Sequence, residues 1–268
     1  MIHPTAIIHP KAQVHSSVVV GPYSVIDAEV VVGRDCWLGP HVYLTGKTVI
    51  GAGNRFFSGA VVGEAPQDLK YKGDPSGLRV GDHNTFREHC TVHRANFAGE
   101  ETIIGNNNLL MAGCHVAHNC ILGDHIILVN GCLIAGHVEV GDRAVVSGNC
   151  LVHQFVRIGT LSMMQGGSAI SKDLPPFSVA RGDNHICGLN TIGLRRAGLT
   201  SEQRLELKKA YHTLFRSGRS LRTASEEARG LFSSGPARQL VDFVATAAKR
   251  GVCADISAHD QADETEAE

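Results

Sequence analysis

The feature that most limits how this chain can fold is an aliphatic side chain at every sixth position. From Ile2 to Ile170 that position holds Ile, Leu, Val, Phe or Met, and the three exceptions are Asp68, Asp74 and Ala98. A period of six matches neither the period of an α-helix nor the alternation of a long strand. It predicts short strands joined by sharp corners, which is a β-solenoid. With three sides, each coil takes about 18 residues, and coils stack about 4.8 Å apart.

Two interruptions of the repeat return in phase, so we expect the coils to stay stacked while two loops project from them. The loops span residues 63–79 and 93–102, and the solenoid as a whole spans residues 1–176. Pro175 and Pro176 then end the pattern, because proline cannot donate a strand hydrogen bond. The loops are either surface decoration or part of a functional site, and the phase does not choose between the two.

The remainder of the chain predicts a C-terminal helical domain. Residues 177–198 form a connecting segment, and residues 199–251 show helical spacing of apolar side chains. Thr200 and Gln203 make a capping box at the start of the first helix. Two further amphipathic helices end near Gly235 and Gly251. The acidic tail, residues 252–268, is expected to be disordered.

Basic side chains concentrate in this helical region, although the whole chain has a formal net charge of -1. Two acidic residues, Glu202 and Glu206, stand among the basic ones, which are Arg195, Arg196, Arg204, Lys208, Lys209, Arg216, Arg219 and Arg222. Such a face is either an ordinary solvated helix surface or a docking site for an acidic protein.

Composition argues against several classes of protein. The near balance of charge does not favour a nucleic-acid partner. No apolar run approaches the roughly 18 residues needed to span a membrane, and the first residues do not resemble a secretory signal. The 8 cysteines form no C-x-x-C pair, which favours buried free thiols in a reducing compartment. We therefore expect a cytoplasmic protein.

A series of motifs extends the interpretation beyond the repeat. "GEAPQDLKY", "TVHR", "NNLLMAGCHVAHNC", "IAGHVEV", "LVHQF", "DLPPF" and "NTIGLRRAG" occur in this order between residues 63 and 198. In this order, on a hexapeptide repeat, they resemble the UDP-N-acetylglucosamine O-acyltransferases of lipid A biosynthesis. The resemblance implies an all-β solenoid plus α fold, in which a left-handed parallel β-helix precedes a C-terminal helical domain.

The same resemblance implies an activity. Such enzymes work as homotrimers and move an (R)-3-hydroxyacyl chain from acyl carrier protein to the 3-hydroxyl of UDP-N-acetylglucosamine, without a metal or an organic cofactor. His118 in "HVAHNC" matches the family's general base, and the backbone N–H of Gly136 in "IAGH" matches its oxyanion donor. The 18-residue coil independently stacks Gly136 on His118, with Glu100 in the same column. Where the family commonly has Asp after this histidine, Asn119 follows here, so a weaker electrostatic assist or a carboxylate from elsewhere is expected.

Other residues take roles by their place in the motifs. Asp68 would accept hydrogen bonds from the glucosamine hydroxyls, and Lys70 would face the diphosphate. The cleft between neighbouring chains would be lined by His115, His137, His153 and Gln154.

The nucleotide and the acyl chain would be recognised further along the chain. Asn190 and Arg196 match the nucleotide-binding segment, although Ile192 and Ala197 depart from the family's pattern there. Gly166 stands where a residue closes the end of the hydrocarbon groove, and a glycine leaves that groove open. This predicts a long acyl donor.

Three alternatives stay open at this stage. The histidines could belong to a zinc enzyme resembling the γ-class carbonic anhydrases; no three of them share a column, but a trimer could assemble such a site between chains. The chain could be another hexapeptide acyltransferase that uses acyl-CoA. It could also be a solenoid scaffold whose histidines are structural.

Overall fold

A computed structural model describes residues 1–247 and 250–255, and the solenoid is a triangular stack of parallel coils. Strand partners lie 18 residues apart over most of the stack, as Ile7 does with Val25 and Val19 with Trp37. Up to Ile170, each side of the triangle is a parallel sheet formed by every third strand.

The strands of the described residues fall into three sheets. The first sheet contains Ile7–Ile8, Val25–Ile26, Tyr43–Leu44, Val61–Glu64, Thr91–His93, His115–Val116, Leu133–Ile134, Leu151–Val152 and Ala169–Ile170. The second sheet contains Gln13–Val14, Val31–Val32, Lys47–Ile50, Gly77–Val80, Glu101–Ile104, Ile121–Leu122, Glu139–Val140 and Arg157–Ile158. The third sheet contains Val19–Val20, Trp37–Leu38, Arg55–Phe56, Thr85–Phe86, Leu109–Leu110, Ile127–Leu128, Val145–Val146, Met163–Met164, Ser178–Arg181, His185–Leu189 and Ala254–Asp255.

The repeating aliphatic side chains fill the interior of the stack, and most of them are fully buried. Phe56 and Phe86, one coil apart, stack with their ring centroids 4.8 Å apart. Seven of the cysteines are buried, all eight are free thiols, and only Cys187 is partly exposed. Because side chains alternate across each short strand, the residue before each buried aliphatic faces outward.

Both loops leave the stack at one corner, between the first and second sheets. Strand partners are 30 residues apart across the first loop, as Val61 is from Thr91, and 24 apart across the second, as Thr91 is from His115. The loops therefore add 30 − 18 = 12 and 24 − 18 = 6 residues, which are multiples of the repeat. This is why the phase is kept. Within the two predicted loops, irregular backbone is confined to residues 65–76 and 94–100.

Strand pairing continues past the two prolines. Pro175 and Pro176 lie at a corner, and Ser178–Arg181 then pairs in parallel with Met163–Met164. His185–Leu189 turns back in the antiparallel direction. A corner does not require the N–H groups that proline lacks, so the third sheet extends further than the repeat predicts.

Four helices follow within the described residues: α1 Thr191–Arg196, α2 Ser201–Phe215, α3 Leu221–Ala228 and α4 Gly235–Ala245. The capping box of Thr200 and Gln203 is formed at the start of α2. Helix α3 ends before the predicted Gly235, where α4 in fact begins, because Gly230 adopts a left-handed φ of 78° and turns the chain. None of these helices is long and apolar enough to cross a membrane.

The prediction of a disordered tail is wrong for its first four residues. Ala254–Asp255 pairs with His185–Leu189, and Val252 and Cys253 are buried beside it. These two apolar side chains anchor the segment before the acidic residues begin. The rest of the predicted tail, residues 256–268, lies outside the described residues.

Candidate active site

The site lies at the corner from which both loops project. His118 and Gly136 follow neighbouring strands of the first sheet, and the N–H of His137 donates to the carbonyl of His118 across the coils at 3.0 Å. A Cβ on Gly136 would lie 2.7 Å from both Cε1 and Nε2 of the His118 ring. The ring of His118 therefore rests directly against the backbone of residue 136. A side chain there would occupy the space of the imidazole.

The neighbours of Asn119 determine which nitrogen of His118 carries the proton. The Oδ1 atom of Asn119 accepts from the backbone N–H of Asn96 at 2.9 Å, and its Nδ2 donates to Oε2 of Glu100 at 2.6 Å. A backbone N–H can only donate and a carboxylate can only accept, so the amide cannot be flipped. Oδ1 lies 2.9 Å from Nδ1 of His118. Nδ1 must therefore donate, which leaves Nε2 of the neutral ring as a proton acceptor.

The two loops meet in front of that acceptor. Asp68 of the first loop has its Oδ2 atom 3.7 Å from Nε2 of His118, and the side-chain amide of Asn96 from the second loop donates to the same oxygen at 2.8 Å. The other carboxylate oxygen accepts from the N–H of Lys70 at 2.9 Å. These hydrogen bonds, and the positive charges of Lys70 and a protonated His118, hold the pKa of Asp68 below its usual value.

Three further histidines surround His118 and stay neutral. Burial, together with the charge that His118 can carry, lowers the pKa of His115 and of His137, and burial lowers the pKa of His93 to about 4. The ring of His137 stands edge-on to His118 with the centroids 5.2 Å apart. These three neighbours therefore take up protons less readily than a free histidine does.

A cavity of about 1060 Å³ opens beside these groups. Asp68, Lys70 and His118 line it near the loops, and the apolar side chains of Leu133 and Leu151 line its wall along the first sheet. Both leucines are about half exposed, at 45% and 49%. The cavity thus joins a polar end, which holds an imidazole and a carboxylate, to an apolar wall.

Comparison with known proteins places the chain among acyltransferases. A family model for the second domain of UDP-N-acetylglucosamine O-acyltransferase matches residues 173–253, and a model of bacterial transferase hexapeptide repeats matches residues 101–136. The acyl-[acyl-carrier-protein]–UDP-N-acetylglucosamine O-acyltransferase of Thermodesulfovibrio yellowstonii is 43% identical over 255 residues, which are 94% of this chain and 98% of the relative. The enzyme of the same name from Psychromonas ingrahamii is 50% identical, over 91% of this chain and 94% of the relative. This chain belongs to the UDP-N-acetylglucosamine O-acyltransferase family.

Solved structures of the family agree with the fold. LpxA from Acinetobacter baumannii superposes with a TM-score of 0.90 at 41% identity, covering 94% of this chain and 98% of that one. LpxA from Bacteroides fragilis, a UDP-N-acetylglucosamine acyltransferase, superposes with a TM-score of 0.89 at 39% identity, covering 94% and 99%. The predicted left-handed parallel β-helix with a C-terminal helical domain is confirmed.

Most residues expected from the family motifs come together in one chain. The cavity is lined by Asp68, Lys70, His115, His118, Gly136, His153 and Gln154. His137 lies behind His118, against which its ring packs. Nδ1 of His153 lies 3.0 Å from the guanidinium of Arg250.

Three residues expected in the acyltransferase site lie away from this cavity. Asn190 caps helix α1: its Oδ1 accepts from the N–H of Gly193 at 3.0 Å, and its Nδ2 donates to the carbonyl of Leu161 at 2.9 Å. Arg196 is exposed in the last turn of that helix. Gly166 is exposed, and a Cβ on it would have only the carbonyl oxygen of Gly148 within 4 Å, at 3.5 Å. Their binding roles stay predictions.

Sequence reasoning missed several residues of the site. Leu133 and Leu151 stand one and two coils from His115, each just before a repeat aliphatic, so counting in steps of eighteen could have found them. Asn96 and His93 carry no such signal, because they lie where the second loop leaves the stack of coils. Within residues 1–247 and 250–255, no three metal-binding side chains come close enough to hold an ion.

Proposed function

We propose that this chain transfers an (R)-3-hydroxyacyl group from acyl carrier protein to the 3-hydroxyl of UDP-N-acetylglucosamine, which is the first step of lipid A biosynthesis. The observation that carries the proposal is the His118 ring. Its Nδ1 is held by Asn119 at 2.9 Å, its Nε2 faces the cavity, and the backbone of Gly136 lies against it. A general base and an oxyanion donor at one point are what acyl transfer to a hydroxyl requires.

The chemistry proceeds by general base catalysis. Nε2 of His118 removes the proton of the sugar 3-hydroxyl as that oxygen attacks the thioester carbonyl carbon. A new C–O bond forms, and the carbonyl oxygen becomes an oxyanion. Collapse of this intermediate breaks the C–S bond, and the proton on Nε2 passes to the departing thiol. A base so placed contributes about 10²- to 10⁴-fold to the rate.

Gly136 stabilises the oxyanion through its backbone N–H. In the part of the chain that the structure describes, this N–H donates to no other backbone or side-chain acceptor. It lies in the coil above His118, so a carbonyl attacked beside Nε2 is within its reach. Fixed donors of this kind are worth about 10²- to 10³-fold in kcat.

The cavity divides between the two substrates. Asp68, whose lowered pKa keeps it ionised, accepts hydrogen bonds from the glucosamine hydroxyls. Lys70 supplies a positive charge toward the diphosphate. The apolar wall of Leu133 and Leu151 receives the acyl chain, since burial of each methylene contributes about 0.8 kcal/mol. Gly166, which lies outside this cavity, is expected to stand at the far end of the acyl path and to leave it open to a long chain.

The protein works as a homotrimer in the cytoplasm, and its helices receive the carrier protein. His153 and Gln154 then face a neighbouring chain, whose Asn190 and Arg196 contact the nucleotide. Three of the eight basic residues, Arg216, Arg219 and Arg222, pair with carboxylates of their own chain, which are Asp255, Glu227 and Glu226. The carrier therefore docks chiefly on Arg195, Lys208 and Lys209, while Arg196 is left to the nucleotide.

The test is transfer of labelled 3-hydroxyacyl groups from acyl carrier protein to UDP-N-acetylglucosamine. We expect wild type to be active and His118→Ala to lose about 10²- to 10⁴-fold in kcat. His15→Ala, at an exposed histidine of the first coils, serves as the matched control and should retain full activity. A preference for CoA thioesters over the carrier, or activity that survives His118→Ala, would refute the proposal.

A further inference from the structure

A carboxylate stands directly behind the amide that holds the catalytic base. Oε2 of Glu100 accepts from Nδ2 of Asn119 at 2.6 Å, and Oδ1 of the same amide faces Nδ1 of His118 at 2.9 Å. We propose that Glu100 is a positioning residue that acts on His118 through Asn119 and supplies the negative charge that the amide lacks. This inference rests on the proposed role of His118 as the general base.

Backbone hydrogen bonds hold the members of the relay, by which we mean the series Glu100, Asn119 and His118. Glu100 donates its N–H to the carbonyl of Phe97 at 3.1 Å and accepts at its own carbonyl from Gly77 at 2.9 Å. The N–H of Asn119 donates to the buried hydroxyl of Thr102 at 2.8 Å. Its φ of 60° lies in the left-handed region, which asparagine tolerates better than most residues. The backbone of Asn119 and of Glu100 is thus fixed, and the exposed Glu100 side chain reaches the amide from the end of the second loop.

The relay stabilises His118 most when the imidazole is protonated during the reaction. When His118 takes the hydroxyl proton, its Nδ1–H becomes a charged donor. Its hydrogen bond is then stabilised more by extra negative charge on Oδ1 of Asn119. A carboxylate bound to the N–H of that amide polarises it in this sense, because hydrogen bonds in a chain strengthen one another. The effect is greatest in the protonated state, so it favours the transition state over the ground state.

The other charged groups around His118 do not replace Glu100. Asp68 and Lys70 lie on the Nε2 side, where the sugar and its diphosphate bind. His115 and His137 carry lowered pKa values and stay neutral. On the Nδ1 side, the carboxylate found in the described residues is that of Glu100.

The decisive experiment is a cycle of two substitutions, Glu100→Gln and Asn119→Asp, in the full-length protein. Glu100→Gln keeps the shape of the side chain and removes its charge. We expect kcat to fall roughly 3- to 30-fold with little change in KM, since a hydrogen bond to a charged group loses that much when the charge is removed. Glu101→Gln, at the adjacent residue, whose carboxylate pairs with Arg79 instead, is the matched control and should leave kcat unchanged.

In the Asn119→Asp background we expect Glu100→Gln not to lower kcat. Two carboxylates would then stand where the amide and Glu100 now meet, and like charges that close repel. Removing the charge of Glu100 should therefore have no effect on kcat or raise it. A purely structural role of Glu100 would lower kcat by the same factor in both backgrounds, which would overturn the proposal.

A second measurement does not depend on turnover. In protein labelled at the histidine rings, the proton on Nδ1 of His118 should give a downfield NMR signal that moves upfield in Glu100→Gln and not in Glu101→Gln. An unmoved signal would refute the relay even if transfer is observed. Wild type that is inactive while the signal does move would refute the proposed function and leave the relay standing.

Discussion

Substitution of Gly136 by alanine should displace the base without removing any group that takes part in the reaction. The added Cβ would lie 2.7 Å from Cε1 and Nε2 of His118, whereas carbon atoms in ordinary contact lie about 3.5–4.0 Å apart. The imidazole must therefore retreat by about 1 Å. A misplacement of that size can lower the rate by about 10²-fold. The backbone N–H of residue 136 is retained, so the loss would report the position of the ring.

We expect Gly136→Ala to lower kcat about 100-fold in the transfer assay, and to change the melting temperature little, because the φ of Gly136 lies outside the left-handed region. Gly148→Ala is the matched control: it stands at the same turn position of another corner, where the nearest atom to its Cβ is the carbonyl oxygen of Asn130 at 3.3 Å. Full activity of a folded Gly136→Ala protein would show that His118 need not stand where the structure has it. Equal losses in both variants would assign the effect to the turn and not to the ring.

Three other measurements test separate parts of the structure. Gly166→Met should shift the donor preference toward shorter acyl chains, as measured by competition between carriers of different chain length; an unchanged preference would remove Gly166 from the acyl path. Asp173→Ala should lower the free energy of unfolding by about 3 kcal/mol in urea titrations, because Arg157 then loses its buried carboxylate partner at 2.7 Å. Arg157 also donates to the carbonyl of Phe243 in helix α4, so its displacement would weaken the contact between the solenoid and that helix. A loss below about 1 kcal/mol would contradict this. His93 has a pKa of about 4 in the folded chain against 6.5 in the unfolded chain, so its contribution to stability is complete above pH 6.5, is lost as the pH falls to 4, and amounts to at most about 3 kcal/mol. His93→Phe should flatten the fall in stability over that interval, and an equally steep fall would assign it to other groups.

Counting along the repeat predicted contacts between residues far apart in the chain. Gly136 lies against His118, as a step of eighteen requires. Glu100, the last residue of the second loop, contacts Asn119 just before the 18-residue register resumes at Ile103 and Ile121. This worked because each coil is hydrogen-bonded to the next in one register, so that a position in the sequence becomes a position in space. The same count could have predicted the apolar wall of Leu133 and Leu151.

Counting in steps of eighteen fails wherever the chain leaves the stack of coils. Asn96 and Asp68 come from the two loops, and no periodicity gives their 2.8 Å hydrogen bond. The C-terminal boundaries failed for a related reason. Composition marked residues 252–268 as an acidic tail, but Val252 and Cys253 are buried and bring the start of it to the sheet.

The sequence by itself thus determined the solenoid, the column in which His118 stands and the family. These follow from a strict period and from motifs in a fixed order, both of which are local properties of the chain. Only the tertiary structure decided how the site is held: that Asn119 presents its oxygen to His118, that Glu100 stands behind this amide, and that the two loops close over Nε2. The direction of an amide and the path of an irregular loop depend on hydrogen bonds that form only when separate segments meet.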